Sequence, residues 1–430
     1  MRRTRLVFLL FCLLGGRWAT AEPPARAGSV AALETVEQIV LPKLDLEAIE
    51  QQDETLVRLG RVPRFAFAQR TRIDPASHGQ WERQSDGTLL WRVRLTSPGA
   101  LSLSLGFSRY QMPAGGQLLV TSVDRRHRVG PFTERDNKPH DQLWTPPLFT
   151  DSVVLEVTVP ETQARQLELE LTSVNHGYAG FGEKGQRAGG CNFDVACATG
   201  AGWSDAARSV ALLTIGGVRF CTGFLVNDTA FDGRPYLVTA RHCGFSAAEA
   251  ASVVVIWNHQ NTGCTETPPA ETATLRHFQT GATLRATHPD SDFALLELDE
   301  MPHPSFGSHY AGWDRSTADP ERAAVIHHPN TDIKRIAFDF DPAKTTSHLH
   351  GASPGDGSHL RVGSWELGTT EGGSSGAPLF NQDRRVVGQL HGGWAACGNG
   401  QADWFGRFSA AWTGGGTPAT RLSDWLDPLG

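Results

Sequence analysis

Between residues 90 and 175 apolar and polar positions alternate in short runs: Trp91-Arg92-Val93-Arg94-Leu95, Leu101-Ser102-Leu103-Ser104-Leu105, Val153 to Val159, and Leu167-Glu168-Leu169-Glu170-Leu171. A strand turns successive side chains to opposite faces, so period-two runs bounded by Pro and Gly are half-buried strands. They predict a compact β-sandwich over about 60–175. Before it, Glu22 to Thr55 is polar, and Leu41, Leu44 and Ile49 are spaced for a short amphipathic helix. After it, GYAGFGEKGQRAGG (Gly177 to Gly190) reads as a linker that a protease can enter, because nicking concentrates in exposed loops of small residues. Strand-like runs resume at Val210 to Ile215, Phe220 to Val226, Tyr236 to Ala240, Val253 to Trp257, Phe293 to Leu298 and Val386 to Leu390. Helical periodicity is scarce until Ala419 to Leu426. Many short strands without intervening helices predict an all-β protein with an antiparallel barrel or sandwich, not a parallel α/β sheet.

The length of 430 residues suggests two or three units. Met1 to Ala21 has Arg2, Arg3 and Arg5, then the apolar run Leu6 to Leu14, then Ala19-Thr20-Ala21, which is the pattern of a secretory signal cut after Ala21. That run is too short to span a bilayer, and Cys12 after Phe11 is a poor lipoprotein site, so no membrane attachment is expected. Removing Cys12 with the signal leaves Cys191, Cys197, Cys221, Cys243, Cys264 and Cys397, an even number in an exported chain, with 15 possible connectivities. All six follow residue 190, which draws a domain boundary there. A net charge of −7 without basic runs excludes a nucleic-acid binder. Of 39 basic residues only Lys43, Lys138, Lys184, Lys334 and Lys344 are lysines. Arginine-rich codon usage explains that; so does a protein that suffers from having lysines.

Three stretches carry candidate chemistry: YLVTARHCG with His242, SDFALLEL with Asp292, and EGGSSGAPLF with Ser375. Taken singly they are a structural histidine, a turn aspartate and a Gly/Ser loop. Together they make a coherent set. A hydroxyl needs a base to become a nucleophile, the base needs a carboxylate to hold its tautomer, and the developing oxyanion needs backbone N–H donors that Gly-rich chain presents. Their order, His then Asp then Ser, resembles the chymotrypsin-like serine endopeptidases, and among them the bacterial lysyl endopeptidases. The resemblance runs from Cys191 to the end and includes CTGFLVNDTA at 221–230, AGWDR at 311–315, IHHPN at 326–330, VVGQLHGG at 386–393 and RLSDWLDP at 421–428.

The resemblance implies a two-barrel protease fold with His242 as general base, Asp292 as its orienting carboxylate, Ser375 as nucleophile, and the N–H groups of Gly373 and Ser375 as the oxyanion hole. Ser374 would be a neighbour without the charge that binds a new N-terminus in many animal relatives. Asp403 would lie at the bottom of the pocket for the side chain before the scissile bond. His391 would stand by the triad, where lysyl endopeptidases place a tryptophan against it; this chain departs there and offers His350. The implied disulfides are Cys191–Cys397, Cys197–Cys264 and Cys221–Cys243. With neither CxxC nor HExxH, no metal or other cofactor is expected, and His327-His328 would serve the fold.

The expectation is therefore a secreted, monomeric zymogen: signal 1–21, pro-region 22–184 and catalytic domain 185–430. It would act on proteins and peptides after Lys, bind its own pro-region, and mature by a cut after Lys184, with Lys138 protected by Pro139 and Lys334 and Lys344 shielded by the catalytic fold. The rivals are a Lys/Arg or Glu-specific protease of the same fold, and a catalytically dead binding protein.

Overall fold

The computed structural model describes residues 32–59, 61–179, 181, 188–264 and 275–430. Ala21 and Lys184, the two expected processing positions, lie outside them.

Asp45 opens the N-terminal helix Leu46–Arg58 by accepting a hydrogen bond from the Ala48 N–H at 3.1 Å. Two sheets follow, packed face to face. In one the order is Gln38–Val40, Thr88–Thr96, Ser152–Pro160, Gln117–Ser122, Arg128–Thr133, with Gln80–Arg83 also paired to Thr88–Thr96; in the other it is Ala66–Ile73, Glu168–Gly177, Ser102–Gln111, Leu143–Trp144. The sequence alternation decides which face is buried. Trp91, Val93 and Leu95 lie opposite Val157, Leu155 and Val153, and Leu103, Leu105 and Phe107 close the same core from the other sheet. Ser102 and Ser104, the polar half of the pattern, are buried too. The second sheet's other face lies against the following unit: the Ser104 hydroxyl donates to the Gly217 carbonyl at 3.4 Å.

From residue 188 on, two antiparallel sheets form the two half-barrels of a chymotrypsin-like domain. The first orders Phe278–Thr280, Val254–Ile256, Val210–Ile215, Arg219–Leu225, Tyr236–Ala240, Phe293–Leu298, Ala282–His288. The second orders Phe193–Asp194, Arg335–Asp339, Ala323–His327, Pro378–Phe380, Val386–Gly393, Asp403–Arg407, His359–Val362, Lys344–Thr346. Leu213, Leu225, Leu237, Val255 and Leu296 fill the first half-barrel, while Val325, Leu360, Leu379 and Phe405 fill the second. Between them Phe224, Tyr236, Phe293, Ile326, Phe380, Phe408 and Leu426 form a shared core. The expected helix at 419–426 shrinks to Ser423–Leu426, and a helix at Phe408–Thr413 was not foreseen.

All three implied disulfides are present: Cys191–Cys397, Cys197–Cys264 and Cys221–Cys243. The last spans 22 residues of sequence and contributes roughly 3 kcal/mol by restricting the unfolded chain. The shielding expected of the lysines holds for Lys334, which is fully buried, but not for Lys344, whose side chain projects outward from an edge strand paired with Arg361.

The sandwich grips the protease unit at named points. Phe65 packs edge-on against Phe181 and Phe220, its N–H donates to the Val218 carbonyl at 2.9 Å, Lys138 pairs with Glu300, and His140 with Asp299 at 2.8 Å.

Candidate active site

His242 sits on the single turn Arg241–Cys243 that ends the strand Tyr236–Ala240. Gly244, at φ 91°, closes that turn in the left-handed region. Asp292 is itself left-handed, at φ 53°, immediately before the strand Phe293–Leu298, and its carbonyl accepts from the Arg241 N–H at 2.6 Å. A non-glycine residue held there is a strained position of the kind found at functional sites. The Asp292 carboxylate is spent on His242 twice: Oδ1 accepts the His242 backbone N–H at 2.9 Å, and Oδ2 faces Nδ1 at 2.6 Å. His242 Nε2 lies 2.8 Å from the Ser375 hydroxyl.

The loop Glu371–Ser375 carries the serine across from the second half-barrel. The Thr222 N–H donates to the Ser375 carbonyl at 2.9 Å, and the Thr222 hydroxyl to the Gly373 carbonyl at 3.0 Å. Gly373 has φ 89°, and a Cβ there would overlap the Phe220 ring, so only glycine fits. The N–H groups of Gly373 and Ser375 meet no protein acceptor among the described residues. Ser374 is fully buried; its Oγ accepts the Glu371 N–H at 3.2 Å and lies 2.7 Å from His327 Nδ1. Burial pushes His327 down to about 3, so the ring is neutral. The adjacent serines thus face different partners, and His327 and His328 are core residues, as expected.

Asp403 starts the strand Asp403–Arg407 and is paired across it with Gly393 and Val362. Trp365 Nε1 and the Thr370 hydroxyl donate to its Oδ2 at 2.8 and 2.7 Å. Burial raises its carboxyl above the usual range, those two bonds and one from the Ala395 backbone N–H counter the shift, and no cation pairs with it among the described residues. A Cβ on Gly393 would overlap Oδ1 and the Ala402 carbonyl. This is a desolvated carboxylate without a counter-ion among the described residues, in the strand next to the one that bears His391.

Family comparison decides what kind of site this is. A family model described as lysyl endopeptidase, C-terminal domain, matches residues 185–406, and one described as lysyl endopeptidase N-terminal domain matches residues 32–178. The chain belongs to the lysyl endopeptidase family. It is a serine endopeptidase of that family, with an N-terminal family domain ahead of the protease domain. A curated relative, the lysyl endopeptidase of Pseudomonas aeruginosa, is 26% identical over 363 residues, 78% of this chain and 76% of its own. Solved structures with a similar fold include a Glu endopeptidase in complex with MPD (17% identity, 48% of this chain and 88% of that one, TM-score 0.31). A mutant of human heparin binding protein is another (18% identity, 47% and 87%, TM-score 0.34).

Beside His242 and Asp292 in this lysyl endopeptidase family member stands His391: it stacks near His242 at 5.4 Å between centroids, and its Nε2 lies 3.7 Å from Asp292 Oδ2. The ring against it is not His350, as expected, but His348, at 3.6 Å and 9° from parallel. The reason is register. Thr346 pairs with His359 at the end of their ladder, and two residues on the His348 ring stacks on His359 at 4.9 Å, whereas His350 is exposed, its carbonyl accepting from Trp404 Nε1 at 2.9 Å and its N–H donating to the Ser347 carbonyl at 3.2 Å. His359 was missed altogether; it is buried, with Nε2 2.9 Å from His391 Nδ1. SHLHGASPGDGSHL has no period that marks two of its three histidines as inward-facing.

Proposed function

We propose that the chain is the precursor of a secreted endopeptidase that cuts proteins on the carboxyl side of lysine. Ser375 Oγ attacks the scissile carbonyl while His242 Nε2 takes its proton, and the same nitrogen then gives the proton to the departing amine. Asp292 holds the N–H tautomer at Nδ1 and stabilises the imidazolium. The amides of Gly373 and Ser375 receive the oxyanion, and water entering by the same base releases the acyl-enzyme. Lysine preference rests on Asp403, a carboxylate whose missing counter-ion the substrate supplies. An acidic side chain would be repelled there, which disfavours Glu specificity.

The remaining parts of the reading are export through the signal ending at Ala21 and storage as a monomeric zymogen with residues 22–184 as pro-region. The way the N-terminal unit reaches the oxyanion loop supports storage: Pro63 stands beside Gly372, and Phe65 packs on Phe220, which underlies Gly373. The single observation that carries the function is the run Ser375–His242–Asp292 at 2.8 and 2.6 Å. A fluorophosphonate probe tests it. Covalent labelling at Ser375, lost in His242→Ala, is expected; no labelling of folded protein identifies a dead, binding-only relative.

A further inference from the structure

His391 is the inner end of a file of hydrogen bonds that runs to the surface. Its Nδ1 faces His359 Nε2 at 2.9 Å, His359 Nδ1 faces the Ser358 hydroxyl at 2.7 Å, and that hydroxyl donates to Asp356 Oδ1 at 2.6 Å. Asp356 is exposed, while Ser358 and His359 are buried. The file has one polarity. A carboxylate only accepts, so the single Ser358 proton goes to Asp356, and Ser358 Oγ must accept from His359 Nδ1–H. A neutral His359 then has a bare Nε2, which accepts from His391 Nδ1–H. A neutral His391 is left with a bare Nε2, and that is the atom 3.7 Å from Asp292 Oδ2. Both rings are neutral: burial pushes His359 down to about 4 and His391 down to about 3, against the raising effect of Asp356 on the first and Asp292 on the second. The charged or titratable groups facing the file are Asp292, His242, His348, His350 and Asp356.

We propose that Asp356, Ser358 and His359 are positioning residues that fix the tautomer of His391, so that it presents a lone pair and not a proton to Asp292. With the opposite tautomer, His391 Nε2–H would compete with His242 Nδ1–H for the same carboxylate oxygen. Dividing that carboxylate weakens its support of the imidazolium on which proton transfer depends. The polarity set at Asp356 keeps Asp292 for His242 alone. His348, stacked flat on His391, holds the ring in the plane this requires.

The proposal rests on the triad reading, and its test has a readout independent of turnover. Nitrogen NMR of the full chain labelled with ¹⁵N-histidine, with His391 assigned by its loss in His391→Ala, reports which ring nitrogen carries the proton. The parent should show His391 protonated at Nδ1 and bare at Nε2 near neutral pH. In Ser358→Ala, which removes the acceptor for His359 Nδ1–H, the His359 and His391 protons should move to Nε2. Then kcat/KM for a Lys substrate should fall roughly 3- to 10-fold, with the acid limb of its pH profile moved to lower pH by about half a unit. Ser358→Thr, which keeps the hydroxyl, should restore both. A parent His391 protonated at Nε2 overturns the proposal even if no variant folds, as does a Ser358→Ala protein with unchanged tautomers and acid limb. An unlabelled, inactive parent would instead discredit the triad reading.

Discussion

Asp403→Asn tests the proposed specificity pocket separately from the rest of the site. The carboxylate is enclosed, held by Trp365 and Thr370 at Oδ2 and by the Ala395 backbone N–H, and has no cation of its own among the described residues. Removing one member of a desolvated charge pair costs about 2–5 kcal/mol, so kcat/KM on Lys substrates should fall roughly 30- to 5,000-fold. Stability should move the other way or not at all. Burial raises the Asp403 carboxyl in the folded protein above its unfolded value, so ionisation costs stability once pH exceeds the unfolded value, and the neutral amide removes that cost. Asn can turn its Oδ1 toward the Trp365 and Thr370 donors and keep both bonds, losing only the one from the Ala395 N–H, which offsets part of that gain. The pH dependence carries the same sign: in the parent, KM for Lys substrates should rise as pH falls through the raised carboxyl value, and in Asp403→Asn that rise should vanish. Steady-state kinetics on a Lys peptide amide, alongside thermal unfolding, measures all three. A variant that keeps more than a fifth of parental kcat/KM, or whose activity loss merely follows a collapse in Tm, would refute the reasoning.

The two serines should part company. Ser375→Ala abolishes peptide hydrolysis, whereas Ser374→Ala, which loses the buried bonds to Glu371 and His327, retains activity reduced by roughly tenfold; equal loss in single-turnover assays would mean the register is wrong. Gly393→Ala places a Cβ onto Asp403 Oδ1 and the Ala402 backbone, so KM for Lys substrates should rise at least roughly tenfold in initial-rate assays while fluorophosphonate labelling of Ser375 persists; unchanged KM removes Gly393 from the pocket wall. Maturation should follow cleavage after Lys184, and N-terminal sequencing of the secreted enzyme should begin at Gly185. A start at Ala188 would indicate cutting after Arg187, and uncut Ser375→Ala precursor would show that the step is self-catalysed.

The legible part of the fold was the part buried on both faces. Tyr236–Ala240 and Phe293–Leu298 match their apolar runs end to end, because a central strand covered on both sides is apolar at nearly every position. Arg335–Asp339, Lys344–Thr346 and His359–Val362 were not foreseen. They are short, mix charge with burial, and owe their place to pairing with strands distant in sequence. The grouping of His242, Asp292 and Ser375 was legible because three motifs together restrict the chemistry more than any does alone. The imidazoles behind it were not: which of His348, His350 and His359 face inward depends on the register of Thr346 against His359, a long-range fact that no local pattern encodes.

Digestion of an unfolded protein of known sequence, with every new terminus read by mass spectrometry, tests the central claim most directly. Lysine should precede each cut, and a fluorophosphonate that modifies Ser375 should abolish all of them. Cuts distributed equally after Arg, cuts after Glu, or cleavage that survives modification of Ser375 would contradict a lysine-directed enzyme acting through that serine.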